Sequence, residues 1–210
     1  MILKRFLKEA EFCCFCAKNP NSGFDAVKWE GKGSVPAAFL LVGLFFLTAA
    51  LKAQLTGFIF NTQNPDKFSA LSVFAVTAGG FAVVFTANYA ASSLLPSEAT
   101  LRQIFITLAY PLAPYIASQA VYIAASNLVA MEMGVFLSFV NLLGIGWAAL
   151  ELIIGMYQTH RLSFPLVAAD IALTAFGAVI IVFFMLLLYS LFQQLYTFFY
   201  TIFSEIMFRF

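Results

Sequence analysis

Five long apolar runs limit what this chain can fold into. They cover about residues 35–55, 68–95, 101–125, 135–157 and 164–189, each near or above the ~20 residues a helix needs to cross bilayer hydrocarbon. Charged residues make up only 10% of the chain, against about 25% in an average globular domain. A mean hydropathy of +0.93 and 26 phenylalanines point the same way. The expected fold is all-α: a polytopic membrane bundle of five transmembrane helices with an amphipathic helix at each end. A net charge of +1 marks no nucleic acid as a partner.

The third run carries Pro111 and Pro114, three residues apart. Proline lacks an N–H, and its ring displaces the carbonyl four residues earlier. A helix here is expected to kink and to free the carbonyls of Thr107 and Tyr110, which face one side. In hydrocarbon such groups must find a partner, so the notch should face protein, as a packing kink or a hinge.

Ahead of the first span, residues 1–33 form a separate segment. Ile2, Leu3, Phe6, Leu7, Ala10, Cys13, Cys14 and Ala17 recur at helical spacing, opposite Lys4, Arg5, Lys8, Glu9 and Glu11. An amphipathic helix over 1–18 is expected to rest in the headgroup plane. Asn19-Pro20-Asn21-Ser22-Gly23 reads as a turn, and Trp29 suits the interface. No uninterrupted apolar core with a cleavage site precedes Asn19, so insertion is expected to use the first span as its signal. Ser34 and Pro36 read as an N-cap and first-turn proline, and Lys52 lies near enough to the far surface to snorkel.

Five spans put the termini on opposite sides. With the N-terminus inside, Lys4, Arg5, Lys8, Lys18, Lys28, Lys32, Arg102 and Arg161 are cytoplasmic. The outer side holds Lys67 and Arg209, with Lys52 nearby. The positive-inside rule then predicts a cytoplasmic N-terminus and an external C-terminus. After Tyr189, Gln193, Gln194, Thr197, Thr201, Ser204 and Glu205 form a polar stripe opposite Leu195, Phe198, Phe199, Ile202, Phe203 and Ile206. Residues 190–210 are expected to form an outer amphipathic tail, lying on the bilayer or offering its stripe to another chain.

Glu151 and Asp170 are the acidic residues well inside the spans, on consecutive antiparallel helices at similar depth. Intramembrane carboxylates mark candidate functional sites, and here they compete with a structural reading as interhelical hydrogen-bonding groups. Partners for that second role are Arg102, His160, Arg161 or the notch backbone. Cys13, Cys14 and Cys16 are too few for a structural zinc site. They are either acylation sites or small apolar residues. His160, the sole histidine, reads as an interfacial polar residue in a loop. No catalytic motif, metal site or cofactor motif is expected.

Several segments resemble the Yip (Ypt-interacting protein) family of five-span membrane proteins, particularly its bacterial branch. They are Asn19-Pro20 through Gly23-Phe24, Lys32-Gly33-Ser34, Thr56-Gly57-Phe58-Ile59-Phe60-Asn61, Ala109-Tyr110-Pro111-Leu112-Ala113-Pro114, and Gln194-Leu195-Tyr196 with Glu205-Ile206. The resemblance implies a five-span domain over 34–210 without enzymatic activity, in a bacterial cytoplasmic membrane. Eukaryotic relatives act with Rab-type GTPases in vesicle traffic, but their long N-terminal region has no counterpart here. Some bacterial relatives accompany sugar-import ABC transporters. The expected role is therefore a scaffold or accessory subunit for other membrane proteins, ABC transporter subunits among them, or for a second copy of itself. The alternative is a small-solute or proton-coupled transporter or channel using Glu151 and Asp170.

Overall fold

A computed structural model describes residues 2–61 and 68–209 of the chain. Met1, Lys67 and Phe210 lie outside the described residues, as do the side chains of Lys4, Arg5 and Arg209. The protein is an all-α polytopic bundle. Five helical stretches are long and apolar enough to cross a membrane: Val35–Leu55, Ala70–Leu94, Leu101–Ser126, Met131–His160 and Phe164–Phe208.

Two helices precede the first span, α1 (Ile2–Lys18) and α2 (Pro20–Trp29). The expected turn at 19–23 is instead the start of α2, because Pro20 occupies the first helical turn, where its missing N–H is not needed. The hairpin's apolar face, expected to meet lipid, meets protein instead. Cys16 and Phe24 are fully covered, and Cys13 and Val27 nearly so. They pack with Ala38, Leu41 and Val42 of α3 (Val35–Leu55) and with Ile106, Ala109 and Tyr110 of the third span. Cys14, expected on that face, is exposed, and Cys16 takes its place three residues from Cys13.

The first and second spans differ in regularity. Ser34 caps α3 as expected, its Oγ accepting from the Ala37 N–H at 3.2 Å. The second span is α4 (Ala70–Phe74), a π-helical turn (Ala75–Gly79) and α5 (Gly80–Leu94). Gly79 and Gly80 face open space rather than a close neighbour, while Ala87 and Ala91 are the small buried residues of this span.

The third span is bent. A reciprocal Thr100–Gln103 capping box starts α6 (Leu101–Ala109), and α7 (Leu112–Ser126) follows a turn at Tyr110 and buried Pro111. The Tyr110 carbonyl is not free: it accepts from the Ala113 N–H at 2.9 Å, a tighter turn that replaces the bond Pro114 cannot make.

α8 (Gly134–His160) packs on α7 and on α2, with two glycines at the close approaches. A Cβ on Gly144 would lie 1.8 Å from Ser118 Oγ, and one on Gly155 would meet Thr107 and the Phe24 ring. The fifth span and the tail are one unbroken helix, α9 (Phe164–Arg209, 46 residues). The separate outer helix expected from 190 onward does not exist, because no glycine or proline interrupts the chain after Gly177. Val167, Asp170, Thr174, Gly177, Ala178 and Ile181 face the bundle, chiefly α5. Every residue over 182–203 is exposed.

Candidate functional site: polar groups buried between the helices

The loops between spans at the α1–α2 end are drawn together by basic residues. Gly31 and Gly33 have positive φ (63° and 82°), a conformation glycine adopts freely. Their carbonyls accept from Arg102 Nη2 at 2.9 and 2.7 Å. Lys28 Nζ donates to the Glu98 carbonyl at 2.6 Å, and the Arg161 guanidinium lies over the Trp29 ring.

Beneath these loops lies a buried polar cluster. Asn88 Nδ2 donates to Asp170 Oδ2 at 3.3 Å and to Thr174 Oγ1 at 3.0 Å. His160 Nδ1 stands 3.6 Å from the same Asp170 oxygen and 3.0 Å from Ser97 Oγ. Asn88, His160 and Asp170 are fully buried. His160, expected in a loop, is the last residue of α8, held there by its carbonyl, which accepts from the Glu98 N–H at 3.3 Å. Serine, histidine and aspartate together invite comparison with a hydrolytic triad. In that arrangement the two partners occupy opposite ring nitrogens; here both address Nδ1, and Nε2 is buried with no hydrogen-bond partner among the described residues. The cluster is a polar knot joining α5, α8 and α9.

Glu151 does not join it. No hydrogen bond or ion pair links Glu151 to Asp170 among the described residues. The two carboxylates leave their helices toward different neighbours. Asp170 faces α5, whereas Glu151 lies near enough to α1 to act electrostatically on Cys13 and Cys16. Glu151 is 1% exposed, and neither of its oxygens has a hydrogen-bond partner among the described residues. Burial first, and the Glu151 charge next, push the Cys13 thiol up to about 12; burial, then Cys13, then Glu151 do the same to Cys16. Both thiols are therefore protonated at neutral pH and poor nucleophiles. Among the described residues, no three His, Cys, Asp or Glu side chains are placed to share a metal ion.

The tail stripe is exposed except at Ser204, which is half-buried. Thr197 and Thr201 each donate to the carbonyl four residues earlier (2.9 Å), and Ser204 to that of Thr201, so these hydroxyl protons are already engaged. Gln193, Gln194 and Glu205 remain as the outward polar groups.

Sequence reasoning passed over Asn88, Ser97, Thr174 and a second polar chain formed by Lys52, Gln119 and Asn141. The signal was present in Asn88, Gln119 and Asn141, lone amides within apolar runs, which usually mark interhelical hydrogen bonds.

These features define an all-α membrane bundle with polar groups sealed between its helices. The chain matches no protein-family model, no curated protein and no solved structure.

Proposed function

We propose that this protein is a membrane-embedded scaffold or accessory subunit, and that the free length of α9 is its surface for another integral membrane protein. One observation carries this: the helix is far longer than the bundle that holds it. At 1.5 Å per residue its 46 residues span about 69 Å, against about 30 Å of hydrocarbon. The stretch packed on the bundle, residues 164–181, accounts for about 27 Å. The remainder carries Phe, Tyr, Leu and Ile on all faces, all exposed, and an apolar surface of that extent marks an interaction site. Lying flat on a bilayer would require a break in α9, and the helix has none.

The Yip resemblance supports the same reading and names a class of partner, ABC sugar-import subunits; a second copy of the chain is the other. The basic residues gathered beside α1 and α2 support a cytoplasmic N-terminus, with the free end of α9 directed outward. The test is truncation after Tyr189 and purification in mild detergent. The bundle should stay folded and lose its co-purifying membrane partner. Partners retained unchanged by the truncated protein would refute the proposal.

Transport is the second reading, favoured by the two buried carboxylates. If Glu151 serves a transport site, Glu151→Gln abolishes proton or solute flux in proteoliposomes while the protein folds. Flux that is unchanged in both Glu151→Gln and Asp170→Asn rejects it.

A further inference from the structure

At the end of the bundle opposite the α1–α2 hairpin, one cavity presents a cation with no acid to match it among the described residues. Lys52 lies in the last turn of α3. Its stem does not snorkel outward as expected. The ammonium turns between α3 and α7, donating to Gln119 Oε1 at 2.8 Å and standing 4.8 Å from the centroid of the Tyr122 ring. Gln119 is 1% exposed, and its Nε2 donates to Asn141 Oδ1 at 2.6 Å. The glutamine is thus fixed in one orientation, oxygen to the lysine and nitrogen to α8.

The cavity beside the ammonium measures about 400 Å³ and includes Thr48, Thr56, Asn61, Tyr115 and Tyr122 in its lining. That is within the ~300–1,000 Å³ typical of small-molecule sites. Two of its hydroxyls are already committed: Thr48 donates to the Leu44 carbonyl at 2.7 Å and Thr56 to that of Lys52 at 2.5 Å. Lys52 keeps donor capacity beyond its bond to Gln119, and the lining includes the phenol side chains of Tyr115 and Tyr122. No carboxylate pairs with Lys52 among the described residues. A partly buried ammonium whose described partners are an amide oxygen and a ring face is complementary to an oxyanion, to which the lining phenols can also donate.

We infer that this cavity binds one anionic phosphate or carboxylate group, held by Lys52, Tyr115 and Tyr122. The same chemistry is offered by the headgroup of an anionic phospholipid and by a free organic anion. Two probes separate them: dioleoyl phosphatidylglycerol doped into neutral detergent micelles, and water-soluble glycerol phosphate.

The measurement is thermal stabilisation of the whole chain as a function of probe concentration. Stabilisation by the lipid alone assigns a headgroup site, and stabilisation by both probes assigns a site open to free anions. Lys52→Met should weaken the effective probe by about tenfold or more, the scale of one lost charge-assisted hydrogen bond. Neither probe stabilising the protein, equal stabilisation by phosphatidylcholine, or an undiminished effect in Lys52→Met would overturn the inference. If Lys52→Met does not fold, Tyr115→Phe carries the test, since it keeps the lysine and the ring. It should weaken the probe several-fold, and undiminished binding overturns the inference equally.

Discussion

The indole N–H of Trp147 donates to the backbone carbonyl of Ala17 at 2.9 Å, pinning the end of α1 to the flank of α8. Trp147 is itself half exposed, midway along α8. Gln158 reaches Asn21 one helix further along, and the Phe24 ring fills the space that Gly155 leaves open. The hairpin is therefore a structural member of the bundle. Phe24→Ala should lower stability by about 3–5 kcal/mol, as for a fully buried aromatic. A thermal midpoint in detergent within a degree of wild type would show that the hairpin rides on the bundle without supporting it.

The α7–α8 contact turns on a single missing methyl. At Gly144, Ser118 Oγ and Cβ lie 1.8 and 2.4 Å from where a Cβ would sit, so rotating the serine cannot relieve the overlap. Gly144→Ala should destabilise the bundle by about 1–3 kcal/mol, and Ser118→Gly in the same chain should restore most of it. Failure of the second change to rescue the first would place the strain elsewhere.

The cysteines should respond differently to pH and to alkylation. Cys14 is exposed, while Cys13 and Cys16 are buried, with thiols raised from 9.0 to about 12. Iodoacetamide at about pH 8 should modify Cys14 alone, because the thiolate is the reactive form. An acid held protonated by the fold stabilises it below its unfolded pKa, and that advantage is lost as pH rises above it. Stability should therefore decline above pH 9.0. Mass-spectrometric mapping of the labelled sites, with melting followed from pH 8 to 10, checks both.

Within the polar knot, Asn88 holds both Asp170 and Thr174. Asn88→Leu leaves the buried aspartate short of a donor and should cost about 1–3 kcal/mol. Adding Asp170→Leu should recover part of that loss, since an apolar pair avoids the unmatched charge. A double variant weaker than the sum of its parts, measured by chemical denaturation, would mean that the carboxylate has a further structural partner.

What the sequence disclosed was local. Run length and composition identify spans, Ser34 with Pro36 fixes a helix start, and Pro111 with Pro114 fixes a bend. What it hid depends on partners far along the chain. The periodicity over Cys13, Cys16 and Phe24 is the same whether the apolar face meets lipid or protein. A lysine near a helix end has the same sequence signature whether it snorkels outward or, like Lys52, reaches an amide 67 positions away. Similar depth for Glu151 and Asp170 did not specify facing, which the packing of α9 on α5 and of the α1–α2 hairpin on α8, chiefly through α2, decides. The continuity of α9 was legible in the absence of any breaker after Gly177, but the change in polar pattern at Ser190 masked it.

The Trp147–Ala17 bond also sets an order of assembly in time. The two residues are 130 positions apart, so at ~5–20 residues per second the ribosome needs roughly 7 to 26 seconds to supply the second after the first. For that interval the Ala17 carbonyl has no α8 donor, while Cys13, Cys16 and Phe24 can already pack on Ala38, Leu41 and Val42 once the first span has followed them. The hairpin's partners are thus supplied in chain order, α3 first, the third span next and the α8 tryptophan last.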